Sequence, residues 1–230
     1  MSDFLWVEKY RPKTIEECIL PANTKKTFSS FLKKGEVPNL LLAGPAGCGK
    51  TTVAKIFKQL GVPVYFSDDR AKDLMLNNKS LQESLRSLFG DEVFIDGLLN
   101  RSYIASKVFS NTKELVRLNA LVHPFVQRDF DAWSASQCTN YVLKEAAIIF
   151  ETGADKLLDK VVLVESPKHL KLSRIMYRDG STKEEIFRRM SKQWSDSQKR
   201  INSDYIIQND EKCSLINQIL KLHNIFSNFK

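Results

Sequence analysis

The eight residues from Gly44 to Thr51, GPAGCGKT, constrain this chain more than any other part of its sequence. They match the pattern G-x-x-x-x-G-K-[S/T], and they lie between an apolar run, Leu40–Ala43, and a segment with helical spacing. In that setting glycines let successive backbone N–H groups turn toward phosphate oxygens, and the dipole of the following helix adds positive potential. The pattern therefore predicts a loop that binds a nucleoside triphosphate between a buried strand and a helix.

Two residues of this loop have a chemistry of their own. Lys50 is expected to reach the β- and γ-phosphates, and the Thr51 hydroxyl is expected to be a ligand of Mg²⁺. The residues that we expect to bind ATP are Gly44, Pro45, Ala46, Gly47, Cys48, Gly49, Lys50, Thr51 and Thr52.

The rest of the chain alternates strand and helix signals. Short apolar or β-branched runs that end at polar residues predict buried strands at Leu40–Ala43, Val62–Phe66, Tyr141–Leu143, Lys160–Val164 and Tyr205–Ile207. Helical patterns separate them along the chain. The alternation predicts an α/β fold of the P-loop NTPase type, in which helices flank a parallel sheet.

The positions of glycine and proline residues indicate the domain organisation. Residues 1–36 predict an N-terminal arm and a short helix, and residues 37–230 predict a single nucleotide-binding core. A helical pattern from about 71 to 135 predicts an insertion on the substrate side, and the charged helices at about 168–195 predict a lid. The helices expected in these two regions are Leu81–Phe89, Tyr103–Phe109, Lys113–Val122, Phe125–Trp133, Lys168–Tyr177 and Lys183–Trp194.

Composition excludes several classes of protein. The chain of 230 residues is 43% apolar and 27% charged, and it has no apolar run near the roughly 20 residues that a membrane span needs. With no basic and apolar leader either, we expect a cytoplasmic protein with no membrane partner. The four cysteines lie far apart and are expected to be free thiols. A formal charge of +8 suits nucleic acid, nucleotide phosphates or a basic solvated surface, and it does not separate these.

The loop alone names no reaction, because ATPases, GTPases and kinases share it. A motor-type ATPase needs an apolar strand that ends in Asp-Glu, and only Asp91-Glu92 offers that pair. Ser87–Gly90 before it has the pattern of a helix end, so we interpret both acids as surface residues.

A small-molecule kinase needs a carboxylate beside the acceptor hydroxyl and arginines over the transferring phosphoryl group. Asp68 follows the second predicted strand, at the edge where α/β sheets bind ligands, although Ser67-Asp68-Asp69 also suits a helix N-cap. Arg174, Arg178, Arg188 and Arg189 suit either a lid or a solvated helical face, and alone they favour the solvated face.

Two families resemble different parts of the chain. Residues 4 to about 55 resemble the start of AAA+ clamp-loader ATPase subunits, through WVEKYRP at Trp6–Pro12, TIEE at Thr14–Glu17, VPNLLL at Val37–Leu42 and the loop GPAGCGKTT. Nothing after residue 55 resembles that family's Asp-Glu strand, sensor asparagine, arginine finger or helical collar.

From about Thr52 to the C-terminus the chain instead resembles dephospho-CoA kinase. Seven markers occur in the family's order: Leu60-Gly61 with Ser67-Asp68, Phe89-Gly90, Leu118–Pro124, Ile148–Glu151, Arg178-Asp179 with Thr182, Arg189–Gln193, and Ser203–Ile207 with Asn209. The resemblance implies a kinase whose partners are ATP and dephospho-CoA, with Mg²⁺ as cofactor.

The resemblance also implies roles for individual residues. Asp68 would be the base for the ribose 3′-hydroxyl of dephospho-CoA, and Glu145 would lie near the magnesium. Arg178 would be the lid arginine on the ATP phosphates, and Asn209 would lie near the adenine. His123 falls in the acceptor-side region, where substrate contact and a packed core histidine are both open.

Some residues depart from the kinase pattern. Phe66 replaces the first acid of the usual Asp-x-Asp, Ala147 stands where proline is common, and Pro45 and Cys48 give the loop its clamp-loader form. The two resemblances predict a chimera joined at the loop. Three hypotheses follow: a dephospho-CoA kinase, a DNA-associated ATPase that binds DNA or replication proteins, and a nucleotide binder without turnover.

Overall fold

The computed structural model describes residues 39–109, 111–147, 150, 153–180, 182–190 and 193–228. The arm and helix predicted for residues 1–36 lie outside the described residues, as does most of the segment that resembles clamp loaders. Within the described ranges, every helix is too short or too polar to cross a membrane.

The fold is built on parallel strands, as the alternation of elements predicts. The strands are β1 (Asn39–Ala43), β2 (Val64–Phe66), β3 (Phe94–Ile95), β4 (Leu98–Leu99), β5 (Val142–Glu145), β6 (Lys160–Glu165) and β7 (Tyr205–Gln208). Five of them form a parallel sheet in the order β2-β5-β1-β6-β7, and β3 and β4 form a separate antiparallel hairpin. Strand β1 is therefore central, and the chain leaves it first toward one edge and later toward the other.

Helices cover both faces of this sheet. They are α1 (Lys50–Gln59), α2 (Ser67–Asn77), α3 (Lys79–Phe89), α4 (Arg101–Phe109), α5 (Thr112–Ala135), α6 (Lys168–Asp179), α7 (Lys183–Met190), α8 (Asp196–Ile201) and α9 (Leu215–Ser227). Short 3₁₀ helices occupy Asp91–Val93 and Ala154–Leu157.

The apolar run of β1 supplies the centre of the core. Leu40 and Leu42 pack on one face with Phe57 of α1 and Phe226 of α9, while Leu41 packs on the other face with residues of β6. All three leucines are fully buried, and each such side chain stabilises the fold by about 1.5–3 kcal/mol. Continuous burial on both faces explains why this strand is apolar throughout.

A second cluster joins the helical insertion to the sheet. Tyr65 of β2 and Val142 of β5 pack against Leu81, Leu85 and Phe130 from helices α3 and α5. The helical pattern predicted for residues 71 to 135 thus forms one layer, which lies over the β2 edge of the sheet.

Two local predictions were wrong, and one element was missed. The two helices expected on either side of Pro124 form the single helix α5, because buried residues before and after the proline, Val122 and Val126, pack into the cluster of Tyr65, Leu81 and Leu85. The β3–β4 hairpin was missed, although Asp96 and Gly97 both have positive φ and make the Asp-Gly turn that favours hairpins. The helix predicted to reach Trp194 is described over Lys183–Met190, Gln193 and Trp194 are not helical, and α8 begins after a Ser195 capping box.

Candidate active site

The carboxyl ends of the five parallel strands meet at one edge of the sheet, and most of the predicted site residues lie there. Gly44 follows β1, Asp68 lies two residues after β2, Glu145 ends β5, and Asn209 follows β7. In open α/β sheets this edge is where ligands bind. Residues that are far apart in sequence thus lie at the same edge of the sheet.

The glycines of the loop are held so closely that no side chain fits. Gly44, Gly47 and Gly49 all have positive φ, at 149°, 77° and 95°. A Cβ atom at Gly44 would lie 2.6 Å from the carbonyl oxygen of Val164, and one at Gly47 would lie 2.6 Å from that of Lys171. The loop therefore keeps a bare backbone, the form that allows N–H groups to approach phosphate oxygens closely.

Lys50 and the two threonines after it begin helix α1. Lys50 is 7% exposed, and its Nζ atom donates a hydrogen bond to the carbonyl oxygen of Pro45 at 3.2 Å. This contact folds the lysine back over the loop. Gly49 is the N-cap and brings no side chain, while Thr51 and Thr52 are exposed. The first turn of α1 therefore presents N–H donors and a hydroxyl where an anion can reach them.

Glu145 lies within electrostatic reach of this lysine and of Asp68. Glu145 is 7% exposed, and its backbone is in register with Leu42 of β1 and Phe66 of β2. Burial raises the pKa of the Glu145 carboxyl, the positive charge of Lys50 lowers it, and the charges of Asp68 and Asp69 raise it. Asp68 itself is exposed in the first turn of α2. The Glu145 carboxyl therefore interacts electrostatically with both Lys50 and Asp68.

A cavity of about 560 Å³ opens beside Asp68. Helix α2, helix α5 and strand β5 supply much of its wall, which is mostly apolar. Its polar lining residues are Ser67, Asp68, Asn119, His123, Gln127 and Lys144. The hydroxyl of Ser67 is buried and has no hydrogen-bond partner among the described residues. A buried hydroxyl without a partner suits a site that a ligand completes.

His123 is an exposed residue on the wall of this cavity, not a packed core histidine. Partial burial of its ring and the positive charge of Lys144 both lower the pKa of His123 below 6.5. The imidazole is therefore neutral near pH 7, and one of its nitrogens is a hydrogen-bond donor.

Lys144 is a site residue that the sequence did not reveal. It is 5% exposed, its Nζ atom donates to Gln127 Oε1 at 2.8 Å, and the same atom lies 4.2 Å from the centre of the Phe130 ring. Burial lowers the pKa of Lys144 to about 8, and Asp131 opposes that shift. The cavity thus contains a buried amine that is still mostly protonated near pH 7.

A charged clamp fixes helix α2 to helix α5. Arg70 donates to both carboxylate oxygens of Asp129, at 2.9 and 2.6 Å, and the Tyr65 hydroxyl donates to Asp129 at 2.7 Å. Arg70 lies two residues after Asp68, so the clamp fixes the helix turn that carries the candidate base. These contacts join residues about 60 positions apart, and no local motif announces them.

Two arginines of helix α6, Arg174 and Arg178, have different surroundings. Arg174 donates to Ser166 Oγ at 3.0 Å and approaches the carbonyl oxygen of Gly47 at 3.5 Å, so it touches the loop. Arg178, one helical turn later, is 65% exposed and donates to Asp179 at 2.6 and 3.0 Å. Among the described residues, Arg178 makes no contact with the phosphate loop.

Asn209 supports the loop from below. Its side-chain amide donates to the carbonyl oxygen of Cys48 at 2.8 Å, and a Cβ atom at Gly49 would overlap that amide nitrogen. Its own N–H donates to the carbonyl oxygen of Glu165 at 2.8 Å. Asn209 thus ties β6, β7 and the loop together.

The model of the dephospho-CoA kinase family matches residues 40–214 of this chain. The chain belongs to the dephospho-CoA kinase family. The match spans the loop and helices α1 to α8, and it begins before the glycines.

Individual relatives agree with the family match. The chain is 34% identical over 182 residues to the dephospho-CoA kinase of Bacteroides fragilis, and the alignment covers 79% of the chain and 89% of that relative. The crystal structure of TT1252 from Thermus thermophilus superposes with a TM-score of 0.74 at 29% identity, covering 83% of this chain and 98% of that one. The dephospho-CoA kinase from Campylobacter jejuni gives a TM-score of 0.61 at 25% identity, covering 82% and 96%.

The match also bears on the two-family interpretation. Because it includes the glycine loop, it gives no support to a join within that loop. Asp91 lies in a 3₁₀ helix with its side chain 91% exposed, so the interpretation of Asp91-Glu92 as surface acids is confirmed. The clamp-loader resemblance of the segment before residue 39 stays a prediction.

Proposed function

We propose that this protein transfers the terminal phosphoryl group of ATP to the ribose 3′-hydroxyl of dephospho-CoA, which gives coenzyme A and ADP. One observation carries the proposal. Asp68 lines the cavity that a second substrate can enter, and its charge acts on Glu145, as does the charge of Lys50 from the loop. A carboxylate between donor and acceptor is the arrangement that phosphoryl transfer to an alcohol requires.

On the donor side, the loop would bind the phosphates through the N–H groups of its glycines and of the first turn of α1. Lys50 would leave the Pro45 carbonyl and donate to the β- and γ-phosphates. Thr51 and Glu145 offer the oxygen donors that Mg²⁺ prefers, and Glu145 is held in place by its strand. When bound, the ion would neutralise charge on the phosphates.

On the acceptor side, Asp68 would accept a hydrogen bond from the 3′-hydroxyl and orient it toward the phosphorus. As the bond to the γ-phosphorus forms and the bond to the β-phosphate oxygen breaks, the hydroxyl proton would pass to Asp68. Catalysis of this kind comes mainly from positioning and from charge stabilisation.

The domain layout is part of the proposal. Residues 37–230 would form the kinase core, with an acceptor-side insertion at about 71–135 and a lid at about 168–195. Arg178 would have to exchange Asp179 for a phosphate, and its 65% exposure makes that exchange sterically open. The adenine contact implied for Asn209 would add to its hydrogen bond with Cys48.

A coupled assay of ADP release tests the proposal, with dephospho-CoA, with primed DNA and with neither. Wild-type protein should release ADP only with dephospho-CoA. Asp68→Asn should lower kcat by about 10²–10⁴-fold and keep ATP binding, because it removes the proton acceptor alone. Asp69→Asn is the matched control, since Asp69 is 75% exposed and pairs with Lys72, and it should stay within about threefold of wild type.

Each other outcome would contradict a different part of the proposal. Full activity of Asp68→Asn would overturn the role of that residue. Release stimulated only by DNA would favour the DNA-associated ATPase, and ATP binding without any release would favour a nucleotide binder without turnover.

A further inference from the structure

Strand β5 ends in two charged residues that face opposite sides of the sheet. Successive side chains of a strand alternate, so Lys144 and Glu145 point to different faces. Glu145 is in register with Leu42, whose face packs against α1, whereas Lys144 is in register with Leu41 and lines the cavity with it. Glu145 thus belongs to the side of the phosphate loop, and Lys144 belongs to the acceptor side.

The ammonium group of Lys144 is buried with few partners. Its only hydrogen bond among the described residues goes to a neutral acceptor, Gln127 Oε1, and no described carboxylate forms an ion pair with it. An ammonium group has three N–H donors, so two remain beyond this bond. Asp131 acts on this ammonium only through its charge and without contact, so the buried cation is costly, and a ligand that brings an anion into contact lowers that cost.

The acceptor offers one anionic group that can do so. Dephospho-CoA consists of adenosine, a diphosphate and a neutral pantetheine arm, so the diphosphate carries all of its negative charge. The cavity wall beside Lys144 also holds neutral His123, which can donate a second hydrogen bond to a phosphate oxygen.

We propose that Lys144 binds the diphosphate of the acceptor and so determines its specificity, an inference that rests on the proposed function. The cavity wall is mostly apolar and its other charged residue, Asp68, is an anion, so the ammonium is the cation that distinguishes a diphosphate-bearing acceptor from a neutral nucleoside. Lys50 serves the donor phosphates on the other face of β5, so each substrate has its own cation.

Kinetics with two acceptors test this inference. Adenosine has the same 3′-hydroxyl as dephospho-CoA but no diphosphate. Lys144→Met keeps the length of the side chain and its packing on Phe130 but loses the charge. It should lower kcat/KM for dephospho-CoA by about 10–100-fold, the usual worth of a charge-assisted hydrogen bond, and change kcat/KM for adenosine and KM for ATP less than about twofold. Lys113→Met, on the exposed start of α5, is the control and should change neither.

Equal losses with both acceptors would show that Lys144 only shapes the cavity, and no loss with dephospho-CoA would show that it does not touch the diphosphate. Either result overturns the proposal. A footprint on wild-type protein gives a test that does not depend on the variant folding. Dephospho-CoA at saturation should protect Lys144 from reductive methylation, measured by peptide mass spectrometry, and adenosine should not.

The two tests separate this inference from the proposed function. If wild-type protein binds dephospho-CoA but does not phosphorylate it, the proposed function fails while the footprint still reports on Lys144. If turnover is normal and the footprint shows equal protection by both ligands, only the role of Lys144 fails.

Discussion

The side-chain amide of Asn209 donates a hydrogen bond of 2.8 Å to the carbonyl oxygen of Cys48, across 161 residues of sequence. The bond fixes the phosphate loop at the point where it turns into helix α1. Its donor comes from the residue after β7, the last strand of the sheet. Strand β7 therefore supports the phosphate loop after β1, and the geometry of this loop depends on the assembled sheet.

Asn209→Ala should loosen the loop without removing any proposed phosphate ligand. We expect KM for ATP to rise about three- to tenfold, KM for dephospho-CoA to stay within about twofold, and stability to fall by about 1 kcal/mol. Steady-state kinetics and urea unfolding measure these quantities. Asn228→Ala removes a similar amide-to-carbonyl bond at the far end of α9 and should leave both KM values unchanged. Equal increases in both KM values would mean that Asn209 supports the fold in general and not the loop.

Gly47→Ala should abolish nucleotide binding. The new Cβ would lie 2.6 Å from a backbone oxygen, that of Lys171, and the residue has a φ of 77°, so both a clash and backbone strain oppose it. We expect a loss of about 2–4 kcal/mol in stability and no measurable binding of ATP by calorimetry.

Gly61→Ala separates the two causes. Gly61 has a φ of 86°, but a Cβ atom there would meet nothing within 4 Å. It should cost about 1 kcal/mol from strain alone and leave ATP binding intact. If the two variants lost the same stability and both still bound ATP, the short distance between position 47 and the Lys171 carbonyl oxygen would not matter for ATP binding.

The parts of the site that could be predicted are those coded locally. The loop is eight contiguous residues, and Asp68 and Asn209 each follow a strand that its own apolar residues reveal. Because parallel strands end at one edge, local patterns were enough to place these residues together.

The acceptor side could not be predicted in this way, since long-range contacts create it. Lys144 fits the alternation of a strand and therefore looks solvent-facing, yet helix α5 covers it with Gln127 and Phe130. Pro124 suggested a helix boundary by its local rule, and packing on both sides of it prevailed. The turn at Asp96-Gly97, by contrast, was a local signal that could have predicted the hairpin.

Asp129→Asn should weaken the contact between helix α2 and helix α5. It breaks a two-bond ion pair with Arg70, whose side chain is 42% exposed, so solvent screening limits the loss to about 1–2 kcal/mol at pH 7. The hydrogen bonds from Arg70, with help from Tyr65, lower the pKa of Asp129 below 3.8. The pKa of Asp129 is lower in the folded protein than in the unfolded chain. The ion pair with Arg70 therefore stabilises the fold fully at a pH above the pKa of Asp129 in the unfolded chain, and this stabilisation is lost as the pH falls through the pKa in the folded protein.

Urea unfolding at several pH values checks this prediction. The difference between wild type and Asp129→Asn should be constant from about pH 7 to pH 5 and shrink below about pH 4. Asp73→Asn is the control, because Asp73 pairs with the same arginine at 2.8 Å but is 47% exposed, and it should cost less than about 0.5 kcal/mol. A difference between Asp129→Asn and wild type that grew toward acid pH would contradict the assignment.

The thiol of Cys48 should report whether the phosphate loop opens. Cys48 is 0% exposed, and burial raises the pKa of its thiol although Lys50, Lys171 and Lys199 oppose that shift, so little reactive thiolate is present. Cys138 and Cys213 are exposed free thiols on the same chain and serve as internal controls. With iodoacetamide at about pH 8, both controls should react at least about 100-fold faster than Cys48, as measured by peptide mass spectrometry, and in urea all three should react alike. Equal alkylation rates for the three cysteines in the native protein would mean that the loop opens faster than the reagent attacks. The closed loop conformation set by its glycines would then not be the conformation that binds ATP.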